Sequence, residues 1–277
     1  MSLRINTNTQ ALAAQRFLSN NTTRQNNSLE KLASGTRINR SGDDAAGLAI
    51  SEKLKANIRS MKQASRNAND SVSLIQVAEG SMNEIGNILI RLRELSIQSA
   101  SDTVGAPERL FLDKEVQQLK QEVDRIANST EFNGTKLLNG TSDNLDLQIG
   151  VNNNAELDRF VYDTKDKKST LDALGLASVS TADKVSSQDN LSKLDVAINK
   201  LNENRSSLGA LQNRLGSAIN NLATYTENLS AANSRIRDTD MAEETSEMTK
   251  YNILTQANVS VLAQANSNAQ SALKLLG

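Results

Sequence analysis

The fold of this chain is decided by residues 191–237, which read LSKLDVAINKLNENRSSLGALQNRLGSAINNLATYTENLSAANSRIR. An aliphatic side chain returns at every seventh position, at Leu194, Leu201, Leu208, Leu215, Leu222, Leu229 and Ile236. The expected core positions between them include Ile198 and Arg205. A repeat of seven kept over so many turns is typical of a supercoiled α-helix. At about 1.5 Å per residue this helix is a rod of roughly 60 Å, and another helix has to cover its apolar edge.

A second stripe in the same chain can cover that edge. It follows Asp43 and Asp44, two carboxylates that stand where the N-cap and first turn of a helix belong. Its core positions, counted by sevens, include Leu54, Met61, Ile75 and Leu89. A DNA-binding leucine zipper would need a basic region before the repeat, but residues 182–190 are nearly neutral. We therefore predict that the two stripes form an internal spine within one chain.

The segments between the two stripes predict a third helix and a small β region. Pro107 suits the first turn of a helix, and the apolar spacing continues to about residue 128. Residues 145–149 alternate between apolar and polar side chains, which is a strand pattern, and residues 160–162 can return beside them. The predicted fold is mainly α: a long coiled-coil helix bundle with β-hairpins near residues 130–162 and a short variable loop at about 163–190.

Both ends of the chain carry narrow apolar stripes that an isolated monomer would leave partly uncovered. Charges in the first 33 residues are nearly all basic, whereas residues 251–273 contain no charged side chain. An uncharged terminal segment is easier to explain if both ends are buried together in an assembly. The residues that we expect to drive polymerisation are Ile5, Leu12, Leu18, Leu254, Val261, Leu262, Leu273 and Leu275.

The composition excludes most of the chemistry of enzyme sites. The chain has no cysteine and no histidine, which excludes disulfides, thiolate nucleophiles, His-ligated zinc and imidazole catalysis. A net charge of −1 provides no field that attracts nucleic acid or an anionic membrane. Asp238 and Asp240 are best explained as helix caps rather than metal ligands. We expect no enzymatic activity, no cofactor, no metal, no nucleic-acid partner, no membrane insertion and no cleaved secretory signal.

Short motifs along nearly the whole chain resemble bacterial flagellins. They are LRINTN at 3–8, LEKLASG at 29–35, GDDAAGLAI at 42–50, QASRNAND at 63–70, RLREL at 91–95, EFNG at 131–134, SLGA at 207–210, QNRL at 212–215, SRIRD at 234–238 and AQAN at 263–266. The resemblance implies a structural subunit of the extracellular flagellar filament that is exported unfolded by the flagellar type III system. It also implies that the termini order on assembly as an α-helical coiled coil.

The resemblance further implies a domain division and a set of partners. Residues 1–42 with 237–277 would form the inner (D0-like) terminal domain, and residues 43–236 would form the outer (D1-like) bundle of a minimal flagellin without large outer variable domains. The implied partners are further copies of the chain, a flagellar export chaperone, and the filament cap and hook–filament junction proteins. An alternative is that the chain is itself a flagellin-like hook–filament junction protein.

One surface of the outer domain is implied to have a second role. By motif match, Arg91, Leu95 and Glu115 correspond to the surface that a flagellin-sensing Toll-like receptor recognises in animal hosts. The alternative is that the same three residues pack filament subunits together, and in the family these two roles overlap.

Overall fold

In a computed structural model, residues 7–274 are described, with side chains described for residues 7–267. The described helices are α1 Thr9–Ser34, α2 Ala45–Ala100, α3 Ala106–Ser129, α4 Ala155–Asp158, α5 Lys184–Arg237 and α6 Met241–Lys274. Strands β1 Glu131–Phe132 and β2 Thr135–Lys136 pair antiparallel, as do β3 Leu145–Gln148 and β4 Arg159–Tyr162. The predicted mainly α fold with small β-hairpins is confirmed.

The chain divides into two compact units. A terminal unit contains Met1–Ile58 and Glu227–Gly277, and a central unit contains Arg59–Thr226. The long helices α2 and α5 therefore each contribute residues to both units. The predicted domain boundaries near residues 42 and 237 lie at the breaks between helices and stay a prediction.

The central unit has one continuous apolar core built around α2 and α5. Leu194, Leu201, Leu208 and Leu215 are at most 2% exposed, and Ile75 and Leu89 of α2 belong to the same cluster. An ideal Cβ at Gly86 would lie 3.5 Å from the Leu201 side chain, so the two helices approach closely there. In the central unit, these residues of the predicted spine therefore lie in the apolar core.

The core positions between the leucines differ from those expected. Ala197 and Asn204, three residues after each leucine, are buried, whereas Ile198 and Arg205 are only half buried. α5 also contacts the segment before it, since Asn190 donates to the Ser180 carbonyl and Lys200 to the Ala173 carbonyl. The buried face of α5 is therefore wider than a two-helix seam, and its centre lies closer to Ala197 and Asn204 than to Ile198 and Arg205.

Helix α5 begins at Lys184, within the stretch that was predicted to be a loop. Ser187 and Asn190 are its first buried residues, and both are polar, so the apolar pattern did not reveal this turn. Ser187 donates to Ser99 of α2 at 3.0 Å, and Ser99 donates to the Thr181 carbonyl at 2.8 Å. At the start of α5, hydrogen bonds between buried hydroxyls thus hold the helix in place, whereas aliphatic contacts do so farther along it.

In the terminal unit, α1 and α6 pair antiparallel. The side-chain amide of Asn8 donates to the Ala265 carbonyl at 2.9 Å. At the other end of the pair, the backbone amide of Thr239 donates to the Gly35 carbonyl at 3.1 Å. Gly35 ends α1 in the left-handed conformation with φ 69°, which a residue with a Cβ adopts at a cost. The Asp240 carboxylate accepts from the Ala242 amide at 2.9 Å and caps α6.

The two aspartates before α2, Asp43 and Asp44, stabilise different local structures. Asp44 accepts from the Gly47 amide at 2.8 Å and is the helix cap, as predicted. Asp43 accepts from the Asn39 and Arg40 amides at 3.0 Å and closes the preceding turn instead. These two backbone bonds, with that from Arg40 the stronger, hold the pKa of Asp43 below its ordinary value.

Candidate assembly surfaces

The seam between α1 and α6 combines alanine, a few larger apolar residues and polar residues. Its positions follow a 3–4 spacing on both helices and are Ala11, Ala14, Leu18, Asn21, Gln25, Ser28 and Leu32 of α1 with Glu244, Met248, Tyr251, Thr255, Asn258, Leu262 and Ala265 of α6. The hydroxyl of Thr255 is buried there without a hydrogen-bond partner. Only Ala14, Ser28 and Ala265 of these residues are fully buried, and the larger apolar side chains are half buried, so the pairing within one chain is weakly stabilised.

Many of the large apolar side chains of the same two helices point away from this seam. The exposed members are Leu12, Phe17, Leu29, Ile253, Leu254, Val259 and Val261. On α6, Leu254 and Val261 are seven residues apart and so lie on one flank of the helix. Full burial of each such side chain is worth roughly 1.5–3 kcal/mol as an upper estimate, so this outward apolar set favours association with another surface.

The predicted polymerisation residues fall into three groups in the structure. Leu12, Leu254 and Val261 are exposed and belong to the outward apolar set. Leu18 and Leu262 are half buried in the α1–α6 seam. The other three lie outside the described residues or side chains, and they are Ile5, Leu273 and Leu275.

Charges across the α1–α6 pair match the basic start and the acidic end segment. The guanidinium of Arg24 donates to the Tyr251 hydroxyl at 3.2 Å and lies 5.9 Å from the centre of its ring, and that hydroxyl raises the pKa of Arg24. Lys31 lies 3.5 Å from Glu244. Exposed pairs of this kind contribute little stability, so they set the register of the two helices more than their affinity.

The residues matched to the receptor surface lie together, but only two of them are accessible. Arg91 of α2 bonds to Glu115 of α3 at 2.9 Å and to Glu94 at 3.0 Å, and the Glu115 carboxylate is the main cause of its raised pKa. Leu95 is 1% exposed and belongs to the core. The accessible part of this surface is therefore the charged pair, with Leu95 fixing α2 beneath it.

The spine residues outside the central core are less buried. Ile75, Leu89 and the leucines from Leu194 to Leu215 are covered, whereas half-buried positions are Leu54, Met61, Leu222, Leu229 and Ile236. Three of these, Leu54, Leu229 and Ile236, belong to the terminal unit.

One buried charged group and one exposed apolar pair were not predicted from the sequence. Lys120 donates to the Ala177 and Val179 carbonyls, both at 2.8 Å, although it is only 7% exposed. Leu110 and Phe111 of α3 are exposed, and they fall outside the stripe that predicted that helix. That departure from the helical period was the available signal for a second apolar surface.

Other kinds of site are not found in the described part of the chain. Within residues 7–274, no group of three or more acidic side chains could hold a metal ion. Nor is any described helix long and apolar enough to cross a membrane. The geometry up to this point defines a helical structural protein whose terminal helices leave several large apolar side chains uncovered.

Comparisons with known proteins identify the family. A model of the bacterial flagellin N-terminal helical region matches residues 5–143, and a model of the C-terminal helical region matches residues 191–276. Flagellin from Halalkalibacterium halodurans is 47% identical over 276 residues, covering 98% of this chain and 99% of that protein. Flagellin from Bacillus subtilis (strain 168) is 44% identical, covering 99% of this chain and all of that protein.

A filament protein and a solved structure agree with these matches. The flagellar filament 33 kDa core protein of Treponema phagedenis is 42% identical and covers 98% of this chain and 99% of that protein. The crystal structure of Bacillus cereus flagellin has a TM-score of 0.50 at 32% identity, covering 61% of this chain and 94% of that chain. The chain belongs to the bacterial flagellin family. It is a structural subunit of a flagellar filament, and the expectation of a structural protein agrees with this family.

Proposed function

We propose that this chain is exported unfolded by the flagellar type III system and polymerises outside the cell into the flagellar filament. The observation that carries the proposal is the incomplete burial of the α1–α6 seam together with the outward apolar set on the same helices. Ordering these helices costs backbone entropy, and burial against neighbouring copies supplies the stabilisation that the seam lacks. The termini therefore order on assembly.

The experiment is a truncation that removes residues 251–277 and leaves the central unit intact. We expect a folded helical monomer that does not extend filaments when sheared filament seeds are added. Thermal unfolding followed by circular dichroism verifies the fold, and electron microscopy measures growth. Long filaments from the truncated chain would contradict the proposal. If the full chain adds only a short cap to the seeds, the alternative role as a hook–filament junction protein is favoured.

The same proposal includes partners that meet the chain before and during assembly. An export chaperone would keep the uncharged stretch of residues 251–273 from associating early, because that stretch exposes apolar side chains. The filament cap and the hook–filament junction proteins would contact the ends of the polymer.

For the Arg91–Glu115 pair we propose recognition by a flagellin-sensing Toll-like receptor in animal hosts, overlapping with subunit packing. Because Arg91 is exposed and is held by two carboxylates, its charge is fixed in position at the surface. Arg91→Ala should reduce signalling by monomer at least about tenfold in a receptor reporter assay. The matched control is Arg93→Ala, which removes a neighbouring exposed arginine paired with Asp195. Equal signalling by both variants would contradict the assignment.

A further inference from the structure

Two Asn-Gly pairs, Asn133-Gly134 and Asn139-Gly140, lie close together in the chain and are held differently. The first pair forms the loop between β1 and β2, with φ 49° at Asn133 and 79° at Gly134. Two positive φ values in a hairpin loop of this length are those of a type I′ turn, in which Asn-Gly is the favoured pair. Conformation thus explains why these two residues stand in the turn, and their chemical reactivity is a separate property.

We propose that Asn133 is a site of spontaneous deamidation and that Asn139 is protected from this reaction. The backbone nitrogen of Gly134 loses its proton to hydroxide and attacks the side-chain carbonyl carbon of Asn133. A new C–N bond closes a succinimide ring, the bond from that carbon to the side-chain nitrogen breaks, and ammonia leaves with a proton taken from water. Water then opens the ring at either carbonyl and yields aspartate or isoaspartate. The reaction requires no enzyme, and it goes beyond the proposed function because it does not depend on polymerisation.

The surroundings of Asn133 leave both reacting groups accessible. The residue is exposed, and in the part of the chain that the structure describes no hydrogen bond or ion pair includes its side chain. An ideal Cβ at Gly134 would meet no atom within 4 Å, so nothing shields the attacking nitrogen. The attack also requires rotation of the main chain at Asn133, which the closed turn restricts. Because β1 and β2 contain two residues each, the turn opens locally at low cost and permits that rotation.

The second Asn-Gly pair is held on both sides. The carboxamide oxygen of Asn139 accepts from the backbone amide of Thr141 at 3.0 Å and from its hydroxyl at 2.8 Å. An ideal Cβ at Gly140 would lie 3.1 Å from Cδ of Lys168, so the main chain is packed against that side chain. The same dipeptide therefore has a free side chain in one place and a fixed one in the other. Local structure, rather than sequence, should decide which of the two reacts.

Deamidation of Asn133 would change the charge of the turn without disturbing the core. Glu131 pairs with Lys136 across the hairpin, so a carboxylate at residue 133 adds a second negative charge beside a single ammonium group. Isoaspartate also lengthens the main chain of the loop by a methylene group. At the base of the hairpin Leu137 is fully buried, and its amide donates to the Thr130 carbonyl at 3.2 Å. The fraction of charged turns would therefore record the age of the chain.

The first experiment compares the two sites within the same molecule. Trypsin cleaves after Arg125, Lys136 and Arg159, which places Asn133 and Asn139 in different peptides. The full chain is aged at neutral and at mildly alkaline pH, digested and analysed by tandem mass spectrometry against a zero-time sample. In the folded chain we expect Asn133 to deamidate at least about fivefold faster than Asn139. In denaturant the two rates should agree within about twofold, because the protecting contacts are lost.

The second experiment removes the reacting carboxamide. Asn133→Gly keeps a residue that tolerates positive φ, and it should abolish both the mass increase in the peptide of residues 126–136 and the acidic band that the aged unaltered chain gains on isoelectric focusing. A mass increase in that peptide that persists in Asn133→Gly would overturn the assignment. So would equal rates at the two sites of the folded chain, a faster reaction at Asn139, or no reaction in the folded chain when the unfolded chain reacts. Each of these results leaves the proposed filament function standing.

Discussion

Two buried or half-buried charges in the central unit hold the segment before α5 in place. Lys120 donates to the Ala177 and Val179 carbonyls, and its burial lowers its pKa. Asp113 accepts from the Thr181 amide at 2.7 Å and from the Ser180 hydroxyl at 2.9 Å. Partial burial by itself raises the pKa of Asp113, but these hydrogen bonds together with one from Gln117 outweigh that effect, and the net pKa lies below its ordinary value. The ionised carboxylate is therefore the form that the fold favours.

Asp113 should make the central unit sensitive to acid. Because its pKa is lower in the folded state than in the unfolded state, its stabilisation is complete above the unfolded value and is lost as the pH falls through the folded value, below about pH 4. Asp113→Asn should lower the free energy of unfolding at neutral pH by about 1 kcal/mol and should flatten its decrease in acid. Denaturant unfolding between about pH 3 and pH 7 measures both effects. Asp189→Asn, an exposed position on α5, is the control, and an equal acid dependence of both variants would contradict the assignment.

At the scale of the element, residue spacing predicted the helices and strands whose buried side chains are apolar. The heptads located α5 from Leu194 onward, and alternation located β3 and β4, because in each case buried side chains repeat with the period of the element. The first turns of α5 were missed because their buried side chains, Ser187 and Asn190, are polar and are held by hydrogen bonds with distant residues. Spacing does not reveal a partner that lies elsewhere in the sequence.

The sequence predicted the candidate surfaces less completely than it predicted the helices and strands. The uncharged segment 251–273 indicated an assembly surface, but the pattern did not separate seam residues from outward residues. Leu262 faces α1 and its neighbour Val261 does not, a distinction that depends on the rotation of α6. A cavity lined by Ile149, Leu157, Phe160 and Arg214 was not predictable, because it lies between the β3–α4–β4 segment and α5, whose packing is set by tertiary contacts.

The α1–α6 pair should be stabilised by removing its unpaired hydroxyl. Thr255→Val keeps the shape of the side chain and replaces a buried hydroxyl that has no partner. We expect α6 to gain about 1 kcal/mol of protection against local opening, measured by amide hydrogen exchange. In the control, Thr249→Val removes an exposed hydroxyl that donates to the Thr245 carbonyl at 2.9 Å. Lower protection in Thr255→Val than in the unaltered chain would contradict the claim that the unpaired Thr255 hydroxyl weakens the α1–α6 pair.

At the scale of the whole molecule, the two units bury their apolar residues differently. The central unit encloses a continuous core, with Ile75, Leu89 and Leu208 fully buried. The terminal unit pairs its helices through a seam whose larger apolar side chains are only half buried, and it leaves Leu12 and Val261 more than half exposed. Under the proposed function, the terminal unit would gain most of its stabilisation from neighbouring copies. That difference between the units would couple polymerisation to the ordering of the termini.

The most direct test places a charge on the outward apolar set without touching the seam. Leu12→Asp with Val261→Asp should leave the thermal unfolding of the monomer unchanged and raise the critical concentration for seeded filament growth by at least about a hundredfold, since two apolar contacts are lost and two charges are buried. Gln15→Asp with Ser260→Asp adds the same charge to exposed polar positions of the same helices and should have a much smaller effect. Light scattering with electron microscopy measures growth. Equal critical concentrations for the two double variants would contradict the claim that the outward faces of α1 and α6 drive assembly.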